Sequence, residues 1–193
     1  MRKIPYNLDN PIDNLFIYVS ENSKIYFRKL NFTPNMITTL ALITSSLGLN
    51  SFWNSSYLNS FLLLNLSYFF DCLDGHYARS YNMETEFGDY YDHFCDMYKF
   101  ILLVILSYVK DYCKFLIIIP FLRLSILIMI IHLGCQEVYF NNVKIKAPTL
   151  TILKNLCPAE NEKELIGMMK LTKYMGTGTI NLMLSLIPIY YSM

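Results

Sequence analysis

The sequence predicts an all-α fold, a polytopic integral membrane helical bundle with five to six transmembrane helices and an N-terminal interfacial helix. Three observations predict it: the composition, a long charge-free segment, and apolar residues at helical spacing ahead of that segment. Of the 193 residues, 54% are hydrophobic and only 16% are charged, whereas soluble domains average about 25% charged residues. The length fits one domain covering residues 1–193.

The charge-free segment predicts the first two membrane spans. Residues 30–70 contain no Asp, Glu, Lys or Arg. A transmembrane helix needs about 20 residues, so this segment is long enough for two helices. We expect spans at roughly 36–51 and 57–71, joined near the WNSS sequence at 53–56.

The rest of the chain predicts further spans and one polar region. Three apolar segments follow: about 88–109, about 115–135 with Pro120 interrupting it and Arg123 inside it, and the uncharged end after Lys173. Residues 136–173 are too polar for an ordinary span. They predict a polar loop and then an amphipathic or re-entrant piece from about 163, and a sixth span there stays open.

The N-terminal segment, residues 1–32, predicts a helix at the membrane interface. Apolar residues recur there at helical spacing and form one face: Ile12, Leu15, Phe16, Val19, Tyr26, Phe27 and Leu30. Lys24, Arg28 and Lys29 flank that face. The positive-inside rule then predicts a cytosolic N-terminus, and two spans later a cytosolic return near residues 71–87.

Charge and cysteine content argue against two classes of protein. The net charge of +1 leaves no basic stripe for nucleic acid, which is not expected as a partner. The five cysteines are odd in number and have no CxxC spacing. We therefore expect reduced thiols and neither a disulfide framework nor a zinc site.

Four aspartates lie where the chain meets the membrane boundary. Asp71 and Asp74 are three residues apart, and Asp92 and Asp96 are four apart, so each pair shares one helical face. If the two helices pack antiparallel across the 80–87 connection, the four carboxylates converge. Arg79 is the one cation between Asp71 and Asp96, which predicts that bound cations supply the missing positive charge.

Carboxylate ligands favour hard ions, so two divalent cations, Mg²⁺ or Mn²⁺, are expected, with Ca²⁺ a third choice. Gly75 and Gly88 leave room for a ligand to approach the backbone. A single aspartate at a span end most often caps a helix or faces water, but four with Gly and Arg at helical offsets favour a site. His93 fits packing better than metal ligation.

The spacing of these residues resembles a known family. The pattern D-x2-D-G-x2-A-R-x8-G-x3-D-x3-D is the signature of the CDP-alcohol phosphotransferases, also called CDP-alcohol phosphatidyltransferases. Here it covers residues 71–96, with every gap matched: Asp71, Asp74, Gly75, Ala78, Arg79, Gly88, Asp92 and Asp96. The short chain, the multiple spans and the interfacial helix are also similar to that family.

The resemblance implies a reaction and roles for these positions. Members transfer a phosphoalcohol or phosphatidyl group from a CDP-alcohol to an acceptor alcohol and release CMP, in phospholipid synthesis. By position, Asp71, Asp74, Asp92 and Asp96 would bind two divalent cations, and Asp96 would also be the general base. The CDP moiety would be held by five residues: Gly75, Ala78, Arg79, Thr85 and Gly88. The resemblance also implies a homodimer among membrane lipids.

The acceptor alcohol stays open. DGHYAR with Asn82, Thr85 and Phe87 resembles phosphatidylinositol synthases, whereas DHFCD at 92–96 and PNMIT at 34–38 resemble choline and ethanolamine phosphotransferases. Arg123, alone in an apolar span, is a candidate for an acceptor or headgroup phosphate, or else an internal ion pair or snorkelling side chain. His93 is the other candidate for acceptor choice.

Two other functions compete with this interpretation. An Asp-motif membrane prenyltransferase also uses carboxylate-bearing helices, but that class lacks the DG-x2-AR core between its aspartates. A divalent-cation transporter would line a pathway with carboxylates, but it has no need of Gly75, Arg79 and Gly88 at nucleotide-binding offsets. Release of CMP would separate the proposed enzyme from both.

Overall fold

The computed structural model describes residues 4–141 and 150–193, and within these residues all regular secondary structure is helical. Two short 3-10 segments accompany seven α-helices, which we number in chain order: α1 (Pro11–Lys29), α2 (Pro34–Trp53), α3 (Tyr57–Tyr81), α4 (Glu86–Lys110), α5 (Tyr112–Asn141), α6 (Glu162–Thr172) and α7 (Thr177–Ser192). The 3-10 segments are Leu150–Leu156 and Lys173–Met175. The all-α prediction is confirmed.

Local sequence signals set the helix ends around the motif. The Thr33 side chain caps α2, and Pro34 occupies its first turn, where a missing N–H costs nothing. Thr85 caps α4 by accepting a hydrogen bond from Gly88 N at 3.0 Å. Asn82 ends α3 in the left-handed region, with φ 53°, which asparagine tolerates better than most residues.

Each predicted span coincides with a helix, but the ends differ. Helix α3 runs past residue 71 to Tyr81, so the first half of the motif continues the same helix. Pro120 lies inside α5 without ending it. The amphipathic piece expected from about 163 is α6, whose 11 residues are shorter than the roughly 20 that a span needs. The remainder of the polar region, with Lys144 and Lys146, falls partly outside the described residues.

A test of length and apolar character singles out one helix. Within residues 4–141 and 150–193, the segment Tyr112–Tyr139 of α5 is long and apolar enough to cross a membrane. The other predicted spans do not meet that combined criterion. Multiple membrane crossings therefore stay a prediction.

Helix α3 is the central element of the bundle. It packs against α1, α2 and α7, while α2 also packs against α4. In the described part of the chain, α3 and α4 themselves scarcely approach at the backbone. These two helices meet mainly through side chains, such as the touching carboxyl groups of Asp71 and Asp92, while α2 packs against both of them.

The predicted absence of a disulfide is also wrong. Cys135 near the end of α5 and Cys157 after the first 3-10 segment form a disulfide across 22 residues. That 3-10 segment packs against α5, which brings together cysteines whose spacing in the chain gives no sign of pairing. Cys72, Cys95 and Cys113 are free thiols, as expected.

Helix α1 buries some of its polar residues and exposes some of its apolar ones. Asp13, Asn14 and Ser20 are buried although their side chains are polar. Several of the residues that formed the predicted apolar face are exposed, including Leu15 and Tyr26. An apolar face directed away from the bundle is what a helix lying in a membrane interface needs.

Polar contacts of Glu21 and Lys24 join α1 to the part of α3 that carries the motif. The Glu21 carboxylate contacts both Lys24 and the buried His76 of α3, and Lys24 also donates to Ser80 at 3.2 Å. The hydrogen bond from Lys24, followed by that from His76, lowers the pKa of Glu21 below its ordinary value. Helix α1 is therefore fixed to the same stretch of α3 that carries the motif.

Candidate active site

The four motif aspartates converge, as the sequence predicted. Asp71 and Asp74 come from α3, and Asp92 and Asp96 come from α4. All four carboxylates lie close enough to interact electrostatically with one another. They meet because both helices pack on α2, which holds the two faces towards one site. We call these four residues the aspartate cluster.

Each carboxylate of the cluster has a different neighbour. Asp74 is buried and accepts a hydrogen bond from the Thr38 hydroxyl of α2. Asp96 accepts one from the Lys99 ammonium, with Nζ 2.9 Å from Oδ1. The carboxyl groups of Asp71 and Asp92 contact each other. Four like charges at this separation repel strongly unless cations are nearby.

The cluster fits divalent metal ions by its chemistry. One oxygen of Asp92, Oδ1, is buried and has no hydrogen-bond partner among the described residues. A buried carboxylate oxygen without a donor is costly, and a hard cation would satisfy it. In the side-chain arrangement of residues 4–141 and 150–193, however, no group of three or more His, Cys, Asp or Glu residues is already set to hold a metal.

The two motif glycines allow close approach. A Cβ atom at Gly75 would lie 3.1 Å from a guanidinium nitrogen of Arg79, so the guanidinium lies directly over this backbone position. One at Gly88 would lie 3.0 Å from the Thr85 hydroxyl and 3.2 Å from Asn35 Oδ1. Both glycines are thus positions where a side chain would displace a polar group of the site.

The other predicted nucleotide-binding residues have mixed surroundings. Arg79 interacts electrostatically with Glu84, Asp74 and Asp92, so its charge is directed at the cluster. Ala78 is buried in α3. Thr85 is exposed and its hydroxyl caps α4, a role that sequence reasoning did not assign to it.

The two candidate acceptor residues differ in position. His93 is half-buried, and its Nδ1 lies 2.8 Å from the backbone oxygen of Asp89 in the preceding turn. Arg123 of α5 is exposed. It does not line the cavity described next, whereas Asp71 and Asp96 of the cluster do.

A small cavity opens beside the cluster. Its walls include Asp71, Cys95, Asp96 and Lys99, together with the small side chains Ser45 and Ser67. Two carboxylates and one ammonium group are therefore among the groups that line it.

Sequence reasoning missed two residues of this site. Thr38 belongs to the PNMIT sequence, and its position four residues after Pro34 is the signal that the chain offers for it. Lys99 follows Asp96 by three residues, which places it on the same helical face. Lys99 lies three residues beyond the last residue of the motif, which ends at Asp96.

The fold and site together define an all-helical protein whose two acidic helices and one arginine form a site suited to metal ions and phosphate groups. The family model for CDP-alcohol phosphatidyltransferase matches residues 31–172, and the chain belongs to this family. It is also 37% identical over 74 residues to an uncharacterized protein of Aquifex aeolicus (strain VF5), and the match covers 38% of each chain. No solved structure matches the chain significantly.

Proposed function

We propose that this protein is an integral-membrane, divalent-metal-dependent CDP-alcohol phosphotransferase that acts in phospholipid synthesis. The observation that carries the proposal is the convergence of Asp71, Asp74, Asp92 and Asp96, with the Arg79 guanidinium over Gly75 and directed at the same cluster. Membership of the family supports the same reaction class.

In the proposed reaction, the acceptor hydroxyl oxygen attacks the β-phosphorus of the CDP-alcohol. A new P–O bond forms, the bond from the β-phosphorus to the oxygen of CMP breaks, and CMP leaves with the electron pair. Asp96 takes the proton of the hydroxyl. Its side chain is 46% exposed, so an incoming alcohol can reach it, and a positioned base contributes about 10²- to 10⁴-fold to rate.

The four aspartates would hold two divalent ions, Mg²⁺ or Mn²⁺. When bound, such ions polarise phosphoryl oxygens and offset the charge that develops on the leaving group. Asp92 supplies the buried unpaired oxygen, and Thr38 orients Asp74. Mutation of a group that orients a metal ligand typically lowers metal affinity or activity about 10- to 100-fold. Arg79 would add a fixed positive charge for the pyrophosphate.

We further propose that α2, α3, α4, α5 and α7 cross the membrane. The 20 residues of α2 extend about 30 Å, the thickness of the hydrocarbon core. Large apolar side chains are exposed on the outer surfaces of these helices, including Leu62, Ile105 and Ile117. Such surfaces suit lipid better than water. The basic residues of α1 favour an active site that faces the cytosol.

The acceptor class is proposed only as far as the subfamily resemblances extend. It is either a soluble alcohol such as inositol, used with a CDP-linked lipid, or diacylglycerol, used with CDP-choline or CDP-ethanolamine. A homodimer is proposed from the resemblance alone.

The test is an assay of the purified protein in lipid nanodiscs. CDP-diacylglycerol is offered with inositol, serine or glycerol 3-phosphate, and CDP-choline or CDP-ethanolamine is offered with diacylglycerol. We expect CMP release that requires Mg²⁺ or Mn²⁺, is abolished by EDTA, and yields labelled lipid in one combination. Absence of metal-dependent CMP release from every donor, in folded protein, would overturn the proposal.

A further inference from the structure

One cation of the site has no role in the proposed function so far. Lys99 lies on α4 one turn after Asp96, and its residue surface is only 6% exposed. A lysine is almost never buried to this extent without a partner. Its buried position next to the aspartate cluster therefore needs an explanation.

The ammonium group of Lys99 is held by the cluster. Its Nζ donates to Asp96 Oδ1 at 2.9 Å, and it interacts electrostatically with Asp71 and Asp92 as well. On its other side, Nζ lies 5.9 Å from the ring centroid of Tyr68, within the range of a cation–π contact. Lys99 and Asp96 also line the same small cavity.

Lys99 differs in its surroundings from Lys110, the other lysine of α4. Lys110, at the end of α4, donates to the backbone oxygen of Trp53 and to the Ser55 hydroxyl. Lys110 therefore lies at the C-terminal end of α4, beside the loop between α2 and α3, and the aspartate cluster lies nearer the other end of α4. Lys99 and Arg79 both interact with the aspartate cluster.

We propose that Lys99 is a positioning residue that anchors the Asp96 carboxylate beside the cavity and supplies positive charge that a divalent cation would otherwise contribute. This inference rests on the proposed function. It holds that Lys99 competes with metal for one oxygen of Asp96, Oδ1, and so keeps that oxygen available to the acceptor hydroxyl while the other oxygen can bind an ion.

The proposal gives two effects of opposite sign for Lys99→Met. Without the ammonium group the cluster is one charge more negative and Asp96 is released from its anchor, so Mn²⁺ should bind at least about tenfold more tightly. Turnover should fall at least about tenfold, because Asp96 is drawn towards the metal and away from the acceptor. A purely structural lysine would not produce tighter metal binding together with slower turnover.

The measurements use the full chain in nanodiscs. Electron paramagnetic resonance of free Mn²⁺ gives the binding affinity without substrate, CMP release gives kcat, and thermal unfolding reports integrity. Lys99→Arg keeps the charge and a donor, so Mn²⁺ affinity should stay within about threefold of the wild type and turnover should partly recover. Lys110→Met, the same substitution on the same helix, should leave both quantities unchanged.

Each outcome is decisive. Tighter Mn²⁺ binding with lower kcat in Lys99→Met, rescued by arginine, supports the role. Unchanged Mn²⁺ binding overturns it, and so does weaker binding accompanied by a lower unfolding temperature. If the wild type itself neither binds Mn²⁺ nor releases CMP, the proposed function fails; if the wild type does both and Lys99→Met behaves like it, only the role of Lys99 fails.

Discussion

The Asp13 carboxylate and the aspartate cluster both contact α3, and their oxygens have different kinds of partner. Asp13 of α1 accepts hydrogen bonds from the Tyr68 hydroxyl and, at 2.9 Å, from the Thr177 hydroxyl. Neighbouring Asn10 caps α1 and donates to the backbone oxygen of Lys173 at 2.6 Å. The Asp13 network thus joins α1, α3 and α7 through hydroxyl and amide donors.

The aspartate cluster has the opposite balance. Its carboxylates contact one another, one oxygen of Asp92 has no donor in the described part of the chain, and the balancing groups are the cations Lys99 and Arg79. A carboxylate whose oxygens accept hydrogen bonds from neutral donors stabilises a fold. A carboxylate that lacks such hydrogen bonds and lies beside other negative charges is better suited to bind a cation. The kind of partner distinguishes the structural carboxylate of Asp13, which has neutral hydroxyl donors, from the functional carboxylates of the cluster, which lie beside cations.

Among the substitutions that test this difference, Asp96→Asn should have the largest effect. This substitution keeps the size of the side chain and removes the base, so we expect CMP release to fall by about 10²- to 10⁴-fold. The substitution also takes the charged partner from buried Lys99, so the unfolding temperature in detergent should fall and CMP release is compared per folded molecule. Turnover near that of the wild type would contradict the role of Asp96 as general base.

Asp13→Ala should have the reverse effect. Two hydroxyl donors lose a charged acceptor inside the protein, which should lower the free energy of unfolding by about 2–4 kcal/mol. Activity per folded molecule should stay within about threefold of the wild type. The measurements are chemical denaturation and CMP release, with Tyr68→Phe as the control that removes one of the two donors. A stable but inactive Asp13→Ala protein would show that the network belongs to the active site.

The smallest expected effect concerns the contact of Glu21 with Lys24 and His76. The pKa of Glu21 is lowered in the folded protein from its ordinary 4.5, so its contribution is complete above pH 4.5 and is lost as the pH falls through the lower folded value. The difference in unfolding temperature between the wild type and Glu21→Gln should therefore be constant near neutral pH and shrink below pH 4.5. A difference that keeps growing as the pH falls further below 4.5 would contradict this prediction.

Much of the fold could be predicted because its signals are local. The charge-free segment at 30–70 and the caps at Thr33 and Thr85 are visible in the chain itself. Helix ends were less accurate, because residues beyond Asp71 are polar in sequence yet continue α3. The motif spacing likewise predicted the convergence of the aspartates, since it places each pair on one helical face.

The missed features depend on contacts between distant segments. The Cys135–Cys157 disulfide forms because α5 packs on the 3-10 segment. Thr38 reaches Asp74 across 36 positions because α2 packs on both acidic helices. Helical periodicity carries no information about which helix lies between two others.

The sequence by itself determined the all-α class, the family motif and the identity of the four aspartates, because spacing along one helix fixes which side chains share a face. Only the tertiary structure decided which groups surround each carboxylate. It brought the hydrogen-bond donors to these acceptors: Thr38 to Asp74, Lys99 to Asp96, and the Tyr68 hydroxyl to Asp13. The physical reason is that the satisfaction of a buried charge is a property of packing, and packing is set by helices far apart in the chain.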